Sequence, residues 1–151
     1  LTMARVWFLR FLGAQIGKDV IIHKVRFFNY YRKGFKGIKI GDFCFLGNDV
    51  LIDLADELHL EDHVTLSERV AVLTHTNVGY KDHPLQRFYP PISKPVFLAR
   101  GSFVGINAVI MPGVRVGEGG FVSACSLVNR DVEPYTVVGG IPAKKIKDLR
   151  E

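Results

Sequence analysis

Only two cysteines occur among the 151 residues. Cys44 and Cys125 both fall inside short repeating segments, which suits small buried or turn residues in a reducing compartment better than a disulfide. No apolar run reaches the roughly 18 residues that a membrane-crossing helix needs, and no leader with a small-residue cleavage site is recognisable. The expected location is the cytoplasm. Acidic residues are outnumbered, 15 against 20 Lys and Arg, but the surplus of +5 is modest and is concentrated in "RKGFKGIK" and "AKKIKDLR". Such runs are solvated edges by default, and the repeats described next supply no helix to read a nucleic-acid groove. A hydrophobic content of 48% allows a sizeable core in a single domain spanning 1–151.

What the sequence does have is a period. Branched aliphatics stand at Val104, Ile110, Val116, Val122 and Val128, one every sixth residue. On a helix, a step of six turns the side chain through about 600°, so the series forms no face. On an extended chain, an even step returns each side chain to the same side. Gly105 and Gly117 follow their aliphatics directly, and the fifth place of each six is held by Ala108, Val114, Gly120 and Ser126. Short strand, turn, short strand is the pattern of a parallel β-helix, in which stacked rungs bury columns of aliphatics.

The period also marks where it fails. It begins at Ile16 and Ile22, is interrupted by "VRFFNYYRKGFKG", and resumes at Ile40, Leu46 and Ile52. A slip of two residues precedes Leu60, Leu66 and Val72. The pattern then vanishes through "LTHTNVGYKDHPLQRFYPPISKPVF", a protruding arm at about 73–96. An interruption of that length, rich in His, Tyr and Pro, is expected to be ordered and functional rather than disordered. Ahead of the repeats, "MARVWFLRFLGA" predicts a short amphipathic helix ended by Gly13, either capping the open end of the stack or lying on a membrane surface. After the repeats, "EPYTVVGGIPAKKIKDLRE" predicts an irregular turn followed by a short helix.

Taken together, "IGDFCFLGNDVLID", the His-bearing arm and "NAVIMPGVRVGEG" followed by "VSACSLVNRDVEPYTVVGGIPAK" resemble the hexapeptide-repeat acyltransferases. Specifically, they resemble the branch of the maltose, galactoside, nodulation-factor and colanic-acid O-acetyltransferases. The resemblance runs over nearly the whole chain. It implies an all-β fold, a left-handed parallel β-helix that departs from the usual right-handed crossover, assembled as a homotrimer with acetyl-CoA as donor substrate and no metal.

The chemistry of such a reaction asks for a general base with a pKa near neutrality, because a sugar hydroxyl is a weak nucleophile toward a thioester; His is the natural choice. Backbone N–H groups of tight turns can receive the developing oxyanion. Of five His, His23, His59 and His63 lie on or beside repeats and read as structural, whereas His75 and His83 lie in the arm. The resemblance points to the His of "LTHTN", His75, although a strict count along the coil lands on Asn77; His83 is the second candidate, and Asp82 is available to orient a His. By the same resemblance Asn48, Asp53 and Asp56 bind the acceptor. Ile106 and Ala124 offer main-chain contacts to pantetheine, followed by Asn129 and Arg130, and Lys144 and Lys147 meet the nucleotide phosphates, with Lys145 a further cation.

Three readings follow. The first is O-acetylation of a sugar or polysaccharide precursor, with no covalent intermediate. The second is N-acetylation of an amino-sugar nucleotide. The third is a non-catalytic hexapeptide scaffold. A zinc site of the kind found in γ-class carbonic anhydrases lacks its later paired His, since none follows His83. The aromatic, basic stretch from Phe27 to Lys36 and the first helix suit peripheral contact with the inner membrane surface or packing at the trimer contact.

Overall fold

The structure, a computed structural model, describes residues 2–151. Short parallel strands stack into three faces. Face 1 is built from Gln15–Ile16, Ile38–Ile40, Leu58–Leu60, Val96–Leu98 and Arg115–Val116. Face 2 stacks Ile21–Ile22, Phe45–Leu46, Thr65–Leu66, Phe103–Val104 and Phe121–Val122. Face 3 stacks Val25–Phe28, Val50–Asp53, Ala71–Val72, Val109–Ile110 and Leu127–Val128. The chain visits faces 1, 2 and 3 in turn, so three hexads make one coil, and about five coils make the solenoid.

The registers follow directly from the hexads. Leu98 lies beside Val116, Val104 beside Val122 and Ile110 beside Val128, each pair eighteen residues apart. Every inward aliphatic of these columns is fully or almost fully buried, and β-branched residues suit strands covered on the core side. Gly105 is required by close stacking at a corner, where an added Cβ would stand 2.6 Å from the backbone nitrogen of Ala124.

Lower in the stack the spacing is longer. Ile40 to Leu60 and Ile52 to Val72 are twenty residues, Ile16 to Ile40 is twenty-four, and Leu60 to Leu98 and Val72 to Ile110 are thirty-eight. The extra residues all leave the coil after face 3 and return on face 1: residues 29–37 in the first coil, 54–57 in the second and 73–95 in the third. The aromatic insertion, the two-residue slip and the arm thus stack on one corner. The arm is ordered at its root, where His75–Thr76 pairs antiparallel with Ile92–Ser93, and it carries a 3-10 turn at Pro84–Arg87.

Helix α1, Thr2–Phe11, packs Val6 and Leu9 against the first coil, and Gly13 at φ 104° turns the chain into the first strand. At the other end the expected short helix is corrected. Thr136–Gly140 joins face 2 as a parallel strand, and Ala143–Asp148 folds back on it antiparallel. The open edge of the last coil offers unpaired backbone groups that an extended segment satisfies and a helix does not.

Candidate functional site

Residues from three successive coils meet at the irregular corner. Asp53 ends its face 3 strand and is completely buried. Its Oδ2 accepts the backbone N–H groups of Thr74, at 3.0 Å, and of His75, at 2.9 Å. The same oxygen pairs closely with Nδ1 of His75. Its Oδ1 accepts Nδ2 of Asn29 at 2.8 Å and the backbone N–H of Ala55 at 3.1 Å. Burial alone would push this carboxyl up; the donors from His75, Asn29, Ala55 and Thr74 outweigh it and hold the carboxyl below the ordinary Asp range.

The carboxylate fixes the histidine. An ionised Asp53 accepts and cannot donate, so the proton shared between them belongs to Nδ1 and the lone pair of Nε2 is left for other partners. The imidazole is 25% exposed, and its edge lies against Phe28 at 6.3 Å between ring centroids. Thr74, fully buried, locks the backbone on either side of the slip: its Oγ1 donates to the carbonyl of Asp53 and accepts the N–H of Asp56, both at 2.9 Å. Asn29 has φ 57° at the start of the aromatic insertion, and its amide nitrogen stands 3.3 Å from Nδ1 and 3.5 Å from Nε2 of His75.

The arrangement sorts the residues singled out from sequence. His75 is the histidine brought into this corner, and the carboxylate that lies against it is Asp53 rather than Asp82. Asp53, expected at the acceptor, is buried, and both of its oxygens accept protein donors inside the core. His83 caps the 3-10 turn, its Nδ1 accepting the N–H of Leu85 at 3.2 Å, and Asn77 hydrogen-bonds within the arm. Asp56 does reach this corner, with Oδ2 accepting the hydroxyl of Ser93 at 3.2 Å. Asn48 does not: it lies on the corner between faces 2 and 3, where its Oδ1 accepts the N–H of Lys24.

Ile106 and Ala124 occupy that second corner on neighbouring coils, linked through the N–H of Cys125 to the carbonyl of Ile106 at 2.9 Å. Arg130, Lys144 and Lys145 converge on a groove of about 290 Å³ at the last coil, together with Asp131 and Glu133. The carboxylate of Asp131 is already committed to the N–H of Arg115 at 2.8 Å. Lys147 is exposed on the same ribbon but does not line this groove, and Asn129 is exposed beside it. Asn29 was invisible as a site residue in the sequence. Its signal is that the insertion carrying it falls on the same corner as the slip and the arm.

No protein-family model matches the sequence. The candidate colanic acid biosynthesis acetyltransferase WcaF of Escherichia coli is 29% identical over 147 residues, covering 97% of this chain and 76% of that protein. A 2,3,4,5-tetrahydropyridine-2,6-dicarboxylate N-acetyltransferase of Ligilactobacillus salivarius is 47% identical over 62 residues, which is 41% of this chain and only 26% of that protein's length. A hexapeptide-repeat-containing acetyltransferase of Vibrio cholerae superposes with a TM-score of 0.86 at 27% identity, covering 100% of this chain and 82% of that one. Its complex with acetyl-CoA superposes with a TM-score of 0.84 at 28% identity, covering 99% and 78%. The three-faced solenoid, the His-bearing arm and these relatives agree in their likeness to the hexapeptide-repeat acetyltransferases.

Proposed function

We propose that the chain transfers an acetyl group from acetyl-CoA to a hydroxyl of a sugar or polysaccharide precursor in the cytoplasm, with His75 as the general base. The observation that carries this reading is the buried Asp53 carboxylate on Nδ1 of a histidine whose ring remains open to solvent. Nε2 takes the proton of the acceptor hydroxyl as its oxygen attacks the thioester carbonyl. The tetrahedral intermediate collapses with cleavage of the carbon–sulfur bond, and the imidazolium returns its proton to the departing thiolate. Asp53 stabilises the imidazolium between the two transfers without itself taking the proton. No side chain needs to be acetylated.

The donor is read onto Ile106 and Ala124 for pantetheine and onto Arg130, Lys144 and Lys145 for the phosphates, with Lys147 and Asn129 beside them. Asp56 supplies an acceptor contact at the base. Because Ile106 and Ala124 sit on a different corner from His75, an active site completed by a neighbouring subunit fits this distribution, in a homotrimer.

The match to an N-acetyltransferase favours an amine acceptor as the second reading. A panel of mono- and oligosaccharides and of amino-sugar nucleotides, followed by release of free CoA thiol, separates the two. Turnover with hydroxyl acceptors alone supports the first, turnover confined to amines supports the second, and a folded protein that binds no acetyl-CoA contradicts both.

A further inference from the structure

Helix α1 is apolar on two opposite faces. Val6 and Leu9 are buried against the first coil, whereas Met3, Trp7 and Phe11, four residues apart in succession, are 84%, 67% and 74% exposed. Trp7 and Phe11 stack with ring centroids 6.0 Å apart, and Phe8 is exposed beside them. A helix that only capped the stack would turn a polar face outward.

The surroundings are basic. From Thr2 to Asp19 the chain carries Arg5, Arg10 and Lys18 against one acidic residue, Asp19. Arg10 spans to the carbonyls of Ile16 and Gly17 at 3.0 and 2.6 Å, which holds its charge at the rim of the helix. The first-coil insertion adds exposed Tyr30 and Tyr31, followed by Arg32, at the same end of the stack. Tyr30 stacks on Phe35, and Phe35 lines a cleft with Phe8 and Leu9 of the helix.

Aromatic rings rimmed by Arg5, Arg10 and Lys18, which outnumber Asp19 at the same rim, match the interface of an anionic bilayer. They do not match a second copy of the same surface, which would set Arg5 and Arg10 against their like. We infer that the first-coil end of the solenoid docks peripherally on an anionic lipid surface through Met3, Trp7, Phe11 and the Tyr30–Tyr31 turn.

The docking rests on the helix and the Tyr30–Tyr31 turn. Its consequence for the acceptor rests on the function proposed above. Asn29, Asp53 and His75 belong to the first, second and third coils, so the base stands about 10 Å above the first coil, with the thickness of helix α1 between that coil and the bilayer. The cationic groove at Arg130 and Lys144 opens at the far end. A glycan anchored in the bilayer would then approach His75 from below while the donor's nucleotide end lies above.

Trp7 is the sole tryptophan, so its fluorescence reports on this surface directly. The full chain is mixed with phosphatidylcholine vesicles with and without phosphatidylglycerol, and co-sedimentation is measured in parallel. The expected result is a blue shift and sedimentation with the anionic vesicles, both reduced by salt and weakened at least about tenfold in Met3→Ser/Phe11→Ser. That variant is checked for unchanged circular dichroism and for transfer to a soluble acceptor, so loss of docking is distinguishable from failure of the enzymatic reading. Unchanged Trp7 emission with no sedimentation on anionic vesicles overturns the inference. So does a Trp7 signal that responds to protein concentration and not to lipid, which assigns the surface to another copy of the chain.

Discussion

His75 holds its Nδ1 against a carboxylate, that of Asp53, which no solvent reaches. The two are twenty-two residues apart on adjacent coils, and the contact exists because a slip in one coil and the departure of the arm in the next occupy the same corner. A buried carboxylate with five donors is a fixed electrostatic partner, since its hydrogen bonds are made before any substrate arrives.

Asp53→Asn keeps the volume but turns one acceptor into a donor facing the N–H groups of Ala55 or of Thr74 and His75. We expect a loss of about 1–3 kcal/mol in stability, read by denaturant unfolding, together with a fall in kcat. The pH dependence has a definite sign. The folded carboxyl titrates below its ordinary value of 3.8, so its contribution is fully present above that value and is lost as the pH falls through the lower folded value. The stability gap between wild type and variant should therefore be constant near neutrality and shrink only below 3.8.

We expect Asn29, which contacts both Asp53 and the ring of His75, to act as a positioning residue. Asn29→Ala should lower kcat roughly tenfold, the equivalent of one hydrogen bond to a charged group. The KM values for donor and acceptor should stay within about twofold of wild type. A rise in KM with kcat unchanged would instead make Asn29 a binding contact.

The hexads from Val104 to Val128 were legible because each inward position admits only an apolar side chain, and a single uninterrupted period carries that rule along the chain. The three departures from the period were legible one by one. Their coincidence was not, because it appears only after the chain is wound into coils of unequal length. Asp53 therefore read as one of several turn carboxylates near the acceptor, and Asn29 as part of an aromatic surface stretch. The C-terminal "AKKIKD" carries helix-tolerant residues, and the unpaired edge of Thr136–Gly140 overrides that preference by pairing with it. Asn48, which the resemblance points toward the acceptor, lies on the corner between faces 2 and 3, with Ile106 and Ala124.

Gly105→Ala would bring a methyl group to 2.6 Å from the nitrogen of Ala124. Neither side of that contact is a flexible side chain, so the coil must shift. A destabilisation of about 1–3 kcal/mol is expected, seen as a lower Tm. Since Ala124 is part of the proposed pantetheine corner, the KM for acetyl-CoA should rise as well.

Arg130→Glu/Lys144→Glu reverses two charges at the last-coil groove while leaving the catalytic corner untouched. The KM for acetyl-CoA should rise at least about tenfold, with little change for dephospho-CoA donors if the contact is to the 3′-phosphate. Equal loss with both donors would move the contact to the diphosphate.

The central claim is that His75 moves the proton. The direct measurement is kcat for His75→Ala under saturating acetyl-CoA, with donor binding followed by calorimetry on the same preparation. The account predicts a fall of at least about 10²-fold with donor affinity retained. A variant that binds acetyl-CoA and keeps more than about a tenth of wild-type turnover would contradict it.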